Sequence, residues 1–519
     1  MRRRSVLHLA FMVAAMLRLP GSLLAATGCA DFPGSPAEQK VWSHVCRGEP
    51  ADLTNDSQRD RQLSKDFLQT ILLEKPWRSA ITWRGVEIRG AIFKSPLLLD
   101  GAEIDQPLRL EACVFAGAVS FTQSHLRRLL SLDGSRLLGI PFPGERKDQT
   151  VKGSLFLNGT RVDGNLILNS VRAHRIEISN AKVEGNLFLT GASIGSLAAS
   201  LIRVGGDVLL QGTTVETAEM PYADVGGSIV IHEPRDSRHR SSGVGTLTLR
   251  DASARVIQIV GDQWPDKLDL RGFRYQIVNT GSGREAMRDI TSEELDRYKS
   301  WLESSKPPSP QPYHHLAQLL ADSGALIESR QVLYAAEETE RTITGATCKT
   351  AAVSVWDSHR LLVVAVAVVM PLAGAVIGFR TRRRIELPRI IGATCLLYLA
   401  TLLILFVSRS LESCGSYVWQ TGLWLLMGYG YDLSRIWIPI GALLLAGMAV
   451  LKRSGEAENH KLGSGFWFSF DLLLPLVKLR EDHYHVPLKP SVQQYFYFHR
   501  IMGYVLATFL AGALQHLAK

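Results

Sequence analysis

What the chain lacks narrows its chemistry. Its 519 residues hold only six cysteines, and no two form a C-x-x-C pair. A disulfide-dense miniprotein and a structural zinc module are therefore excluded. No H-E-x-x-H, Walker A or nucleophile-elbow motif is recognised. Charged residues are sparse, at 21%, while apolar residues reach 46% and the mean hydropathy is +0.06. Such a chain is not disordered, and it carries hydrophobic segments beyond those of a soluble core. The net charge of +9 comes without any feature that marks a nucleic-acid partner.

The hydrophobic segments predict export and membrane insertion. Met1-Arg-Arg-Arg4, the apolar run from Val6 to Leu17 and the small residues around Ala25 to Ala30 read as a signal peptide over 1–28. Cys29 after Ala26-Thr27-Gly28 also resembles a lipoprotein cleavage box, and a disulfide between Cys29 and Cys46 is the alternative. Four stretches, 361–379, 390–408, 436–451 and 501–518, are expected as transmembrane helices. Arg380, Arg382, Arg383, Arg384 and Arg389 crowd the first loop, and Lys452, Arg453 and Lys461 follow the third stretch. By the positive-inside rule both loops are cytoplasmic, which places everything before Leu361 outside.

Between them the chain is self-similar. Val162, Val183, Val204 and Val225 are 21 residues apart, each followed two residues later by glycine, as in Val183-Glu-Gly-Asn-Leu-Phe-Leu189. Ile104, Phe115, Leu126 and Leu137 carry a spacing of 11 upstream. Short x-Leu-x-Leu strands with glycine corners predict an all-β right-handed β-helix over 80–279, the glycines serving positive φ. The stretches 139–150 and 232–243 break the period and are expected to bulge as loops. A helix over 58–75 is expected to cap the open end, within an N-terminal cap over 29–79. A helical neck over 285–345 follows, its hairpin split at Gly324 and resembling one tetratricopeptide unit. The remaining 346–519 form the α-helical membrane domain.

A resemblance rests on Ala37-Glu-Gln-Lys-Val-Trp42, Gly48-Glu-Pro-Ala-Asp-Leu53, the Gly-Asn-Leu-x-Leu repeats, Gln263-Trp-Pro-Asp-Lys-Leu268, Pro310-Gln-Pro-Tyr313, Gly428-Tyr-Gly-Tyr431, Ser469-Phe-Asp-Leu-Leu-Leu-Pro475 and His499-Arg-Ile-Met-Gly503. Together these resemble an uncharacterised bacterial family with pentapeptide-like repeats and membrane segments, often labelled membrane-associated oxidoreductases. The resemblance implies that architecture and brings no catalytic residues.

The candidate chemistry is thin. Gly281-Ser-Gly283-Arg-Glu-Ala286 fits a dinucleotide fingerprint in letters, but the helix after it leads to Pro307-Pro308 and not to a second strand, so no cofactor is expected. Gly428, Tyr429 and Gly430 invite comparison with a potassium-channel filter, against which the aromatic residues nearby suit a headgroup-level helix equally well. Asp471 lies in an apolar stretch and is expected to reach water at the interface. His483 and His485, with Glu481 and Asp482, could ligate a divalent metal, but a solvated loop is the plainer expectation and no metal is assigned. Asp163 and Glu184 stack one repeat apart where Gly205 interrupts the series, which leaves the lyase or hydrolase use of such a scaffold unsupported. The sequence thus points to an envelope scaffold or binding protein at the bacterial inner membrane, with an unknown envelope protein or glycan as partner. A membrane-associated oxidoreductase and a small ion channel or transporter are the alternatives.

Overall fold

The computed structural model describes residues 29, 31–139, 153–232, 243–260, 265, 267–279, 290–351, 353, 414–474 and 477–518. The signal segment 1–28, the stretches 361–379 and 390–408 with their Arg-rich loop, the fingerprint glycines Gly281 and Gly283, and nearly all of the two expected bulges lie outside the described residues. The chain divides into two compact units, Met1–Glu285 with Ser304–Lys306, and Ala286–Glu303 with Pro307–Lys519.

The first unit opens on the helix Pro36–Arg47. Ser35 and Glu38 form a capping box at its start, and Gly48 closes it at φ +73. A disulfide joins Cys29 to Cys46, with Cα atoms 5.8 Å apart. The expected helix over 58–75 is shorter, at Lys65–Leu73, because the Ser64 side chain accepts from the Phe67 N–H and starts it there. Gln62–Leu63 before it is a strand, paired with Ile92–Phe93. Phe67, Leu68, Ile71 and Leu72 are buried on one face of this helix, where Phe32 packs edge-on against Phe67 and Trp77.

The architecture corrects the expectation of a right-handed β-helix followed by a four-span transmembrane domain. The strands belong to two large parallel sheets, one of 15 and one of 12 strands. The reason lies at the corners, where consecutive runs fuse in places. Asp224–His232 is one nine-residue strand that pairs with both Arg203–Val204 and Val208–Gln211. Arg172–Glu177 likewise pairs with both Arg136–Leu137 and Ser154–Phe156. Fused strands stitch neighbouring ladders into continuous sheets. Within them Val162, Val183, Val204 and Val225 stand in register, as do Leu166, Leu187, Val208 and Ile229. All eight are buried, each worth about 2 kcal/mol of transfer from water.

The repeat glycines serve another purpose than the one expected. Gly164, Gly185, Gly206 and Gly227 are not among the positive-φ positions. They are needed because a Cβ on Gly185 would meet the Gly164 backbone at 2.9 Å, and one on Gly227 the Gly206 carbonyl oxygen at 2.8 Å. Positive φ falls elsewhere, at Ser170, Asn180, Gly191, Leu201, Gly212 and Tyr222, ten or eleven residues apart. Beside the glycines runs a side-chain ladder. Asn165 Oδ1 accepts from the Asn186 N–H (2.9 Å), Asn186 Oδ1 from Asp207 (2.7 Å) and Asp207 Oδ1 from Ser228 (2.7 Å). Backbone donors at the turn thus find partners one repeat away.

The second unit is helical. Ser292–Glu303 and Gln311–Asp322 precede Gly324 at φ +91, after which 326–351 is a long helix. A second disulfide ties Cys348 to Cys414, 66 residues on. Among the described residues one helix, Ser434–Ser454, is long and apolar enough to cross a membrane. The span expected over 501–518 is the latter part of a single helix, Pro490–Ala518, which does not reach that measure. Leu451, Phe468, Leu472, Val492 and Phe496 form a core in this unit.

Candidate functional site

One candidate binding geometry lies in the first unit, where sequence reading placed nothing. Parallel register aligns Val86, Leu108 and Leu130, so the residues two before them, Arg84, Gln106 and Arg128, share one column. Glu87, Arg109 and Ser131 form a second column and Arg89 with Glu111 a third. Together with Gly48, Glu49 and Trp83 these columns, apart from Ser131, line a cavity of about 670 Å³. Gly85 makes its floor possible. It takes φ +83, and a Cβ there would collide with the Pro107 carbonyl of the next repeat.

Charge in the groove is unbalanced. Arg89 lies 2.9 Å from Glu87 and 3.2 Å from Glu111, while Glu49 is held by His44 and Arg47. All three carboxylates are therefore already matched. Arg84 lies over the Trp83 ring at 5.5 Å and donates to the Gly48 carbonyl at 3.4 Å. Arg109 and Arg128 make no ion pair among the described residues. Trp83 is 79% exposed, which leaves its indole open to a ligand. Two unmatched guanidiniums beside an open indole suit an anionic ligand that also offers an apolar or sugar-ring face. The signal was present in the sequence as the 22-residue spacing of Arg84, Gln106 and Arg128, but it reads as a column only once the register is known.

The other candidates fall in the second unit. Gly428, Tyr429 and Gly430 form a 3₁₀ turn with all three residues at positive φ, closed by a bond from the Tyr431 N–H to the Gly428 carbonyl. The Tyr429 ring packs edge-on against Tyr334 at 5.6 Å and its hydroxyl is buried with no hydrogen-bond partner. Burial pushes this phenol up to about 12, against the opposing pull of Arg341. Arg341 and Arg435 stack on the Trp424 ring at 4.5 and 5.0 Å, and the Trp424 indole N–H donates to Tyr334 at 3.1 Å. The turn is thus a wedge in an aromatic and arginine cluster.

Asp471 does not reach water. It is 0% exposed and accepts from the Leu479 N–H (2.8 Å), the Arg480 N–H (3.1 Å) and His483 Nδ1 (2.9 Å), while the Tyr484 hydroxyl donates to its backbone carbonyl. The correction has a clear cause, since a buried carboxylate is tolerable once several donors enclose it. His483 is turned onto Asp471 and His485 is exposed, so the two imidazoles are not a pair. Ser469 and His499, 30 residues apart, do meet. His499 Nε2 lies 3.0 Å from the Ser469 carbonyl and 3.4 Å from its hydroxyl. A carbonyl only accepts, so Nε2 carries the proton and cannot act as a base toward Ser469.

Neither stacked acid is poised for catalysis. Hydrogen bonds from Arg161 (2.7 Å) and His125 (2.9 Å) hold the Asp163 carboxyl below its usual range, and Glu184 lies 2.7 Å from Lys182. The string Gly191-Ala-Ser193-Ile-Gly195 matches the letters of a nucleophile elbow, but Ser193 starts the strand Ser193–Ala198, with no helix after it. Among the described residues no group of three or more His, Cys, Asp or Glu side chains is placed to hold a metal ion. No protein-family model, curated protein or solved structure matches the chain.

Proposed function

We propose that this is a membrane-anchored binding protein of the bacterial envelope, whose first unit takes an acidic glycan into the Trp83 groove. The observation that carries the reading is the pair of unmatched guanidiniums, Arg109 and Arg128, beside the open Trp83 ring. A uronic-acid sugar supplies both a carboxylate for a bidentate guanidinium contact and a C–H face for the indole. Two further observations support the location. Disulfides at Cys29–Cys46 and Cys348–Cys414 suit an oxidising compartment, in keeping with the export signal expected over 1–28. The helix Ser434–Ser454, with Trp437, Ile438 and Leu445 exposed, supplies the anchor.

The test is calorimetric titration of the detergent-purified full chain with polygalacturonate oligomers and with a neutral glucan of the same length. Binding of the acidic oligomer alone, weakened about tenfold in Arg109→Gln and abolished in Trp83→Ala, is expected. Equal binding of both oligomers, or none, overturns the reading.

A further inference from the structure

A second cavity, of about 530 Å³, lies in the second unit. Three elements converge on it. Lys299 comes from Ser292–Glu303, Arg330 and Tyr334 from the helix 326–351, and Tyr431, Asp432 and Arg435 from the segment that leads into the apolar helix Ser434–Ser454. Three cations therefore face one space with a single carboxylate, and that carboxylate is committed. Asp432 accepts from the Ser434 N–H and hydroxyl and lies 3.1 Å from Arg435 Nε. Arg435 uses Nη1 toward the Trp424 carbonyl at 3.3 Å, leaving Nη2 for a further acceptor. Lys299 is loosely held, its Nζ 3.4 Å from Gln331 and 3.6 Å from Asp296.

Position gives the ligand its class. Arg435 is the second residue of Ser434–Ser454, and Trp437 and Ile438 immediately after it are exposed. Trp419 and Leu425, from the helix at 414–427, are exposed as well. Exposed tryptophans at the mouth of an apolar helix belong at the headgroup level of a bilayer. A cationic cavity at that depth meets the phosphate of a lipid before any other anion.

We propose that this cavity binds the phosphodiester of an anionic phospholipid headgroup, with Lys299, Arg330 and Arg435 as its cationic ligands. The proposal rests on the membrane reading above and adds a lipid preference to it. The full chain is extracted in detergent, exchanged into mixed micelles of phosphatidylglycerol and phosphatidylcholine, and its retained lipids are weighed by native mass spectrometry. Phosphatidylglycerol is expected to be retained at least tenfold over phosphatidylcholine, and the double variant Lys299→Gln with Arg330→Gln to lose about tenfold of that preference. Parity between the lipids, or an unchanged preference in a variant whose circular dichroism matches the wild type, overturns the site. If the variant does not fold, competition between the two lipids on the wild type decides alone. Thermal protection by millimolar inorganic phosphate without lipid preference would assign the cavity to a free phosphate and likewise overturn the headgroup. Recovery of the chain in the soluble fraction without lipid would sink the membrane reading too, whereas lipid parity in a membrane-extracted chain sinks only this site.

Discussion

The two units solve the same problem, finding partners for buried polar groups, in opposite ways. In the first, solutions are copied: the Asn165, Asn186 and Asp207 acceptors each serve the residue 21 positions on. In the second they are singular. Asp471 gathers donors from Leu479, Arg480 and His483, and the Thr344 hydroxyl bonds the otherwise buried Gln420 at 2.7 Å. Copied bonds give an unbroken surface of columns, on which any exposed pattern is repeated. Singular bonds give places where one residue matters and has no substitute nearby.

Breaking this contrast should show in stability. Leu187→Ala in the copied unit removes a fully buried side chain between Leu166 and Val208 and is expected to cost about 3–4 kcal/mol, read as a lowered midpoint in chemical denaturation. Asp471→Ala leaves two backbone donors and His483 unpartnered and should cost about 3 kcal/mol. Its signature would be faster amide exchange at Leu479 and Arg480. Asn186→Ala removes one rung, leaving the Asp207 N–H without its acceptor, at about 1–2 kcal/mol. If Asn186→Ala proves as costly as Asp471→Ala, the rungs act together and the contrast weakens.

A smaller effect concerns acid. Burial works to raise the Glu38 carboxyl, but hydrogen bonds from Ser64 and Ser35 outweigh it and hold the group below its ordinary 4.5. A carboxyl depressed in the folded state contributes stability that is complete above its unfolded value and is lost as pH falls through the folded one. Below pH 4.5 the wild type should therefore lose stability faster than Glu38→Gln, in denaturation midpoints followed down the acid limb. Least of all should change in Trp83→Ala, where an exposed ring is removed. Its midpoint should move by no more than about 0.5 kcal/mol, which separates a binding role from a structural one.

Legibility also divided along this line. The spacing of Val162, Val183, Val204 and Val225 is the register itself, since parallel pairing of like residues is what a fixed period records. It could not reveal that Asp224–His232 runs through its corner as one strand, because fusion depends on backbone angles that Val225-Gly-Gly-Ser228 permits without dictating. The groove was hidden for the same reason, as Arg84 and Arg128 are 44 residues apart in sequence and share a column only through an intermediate strand. In the second unit Asp471 and His483 were each singled out, yet no periodicity says that two residues 12 apart in sequence meet. Contacts that occur once leave no rhythm to read.

The glycines that let Gly185 lie on Gly164, and Gly226 on Gly205, carry one last implication. From Asn165 to Ser228 each strand meets the next through a close backbone approach and a side-chain oxygen acceptor 21 residues back, so the 21-residue segments there make like contacts. Within that stretch a gain of 21 residues would preserve the strand pairing, whereas a gain of a single residue would shift leucines from the buried to the exposed side.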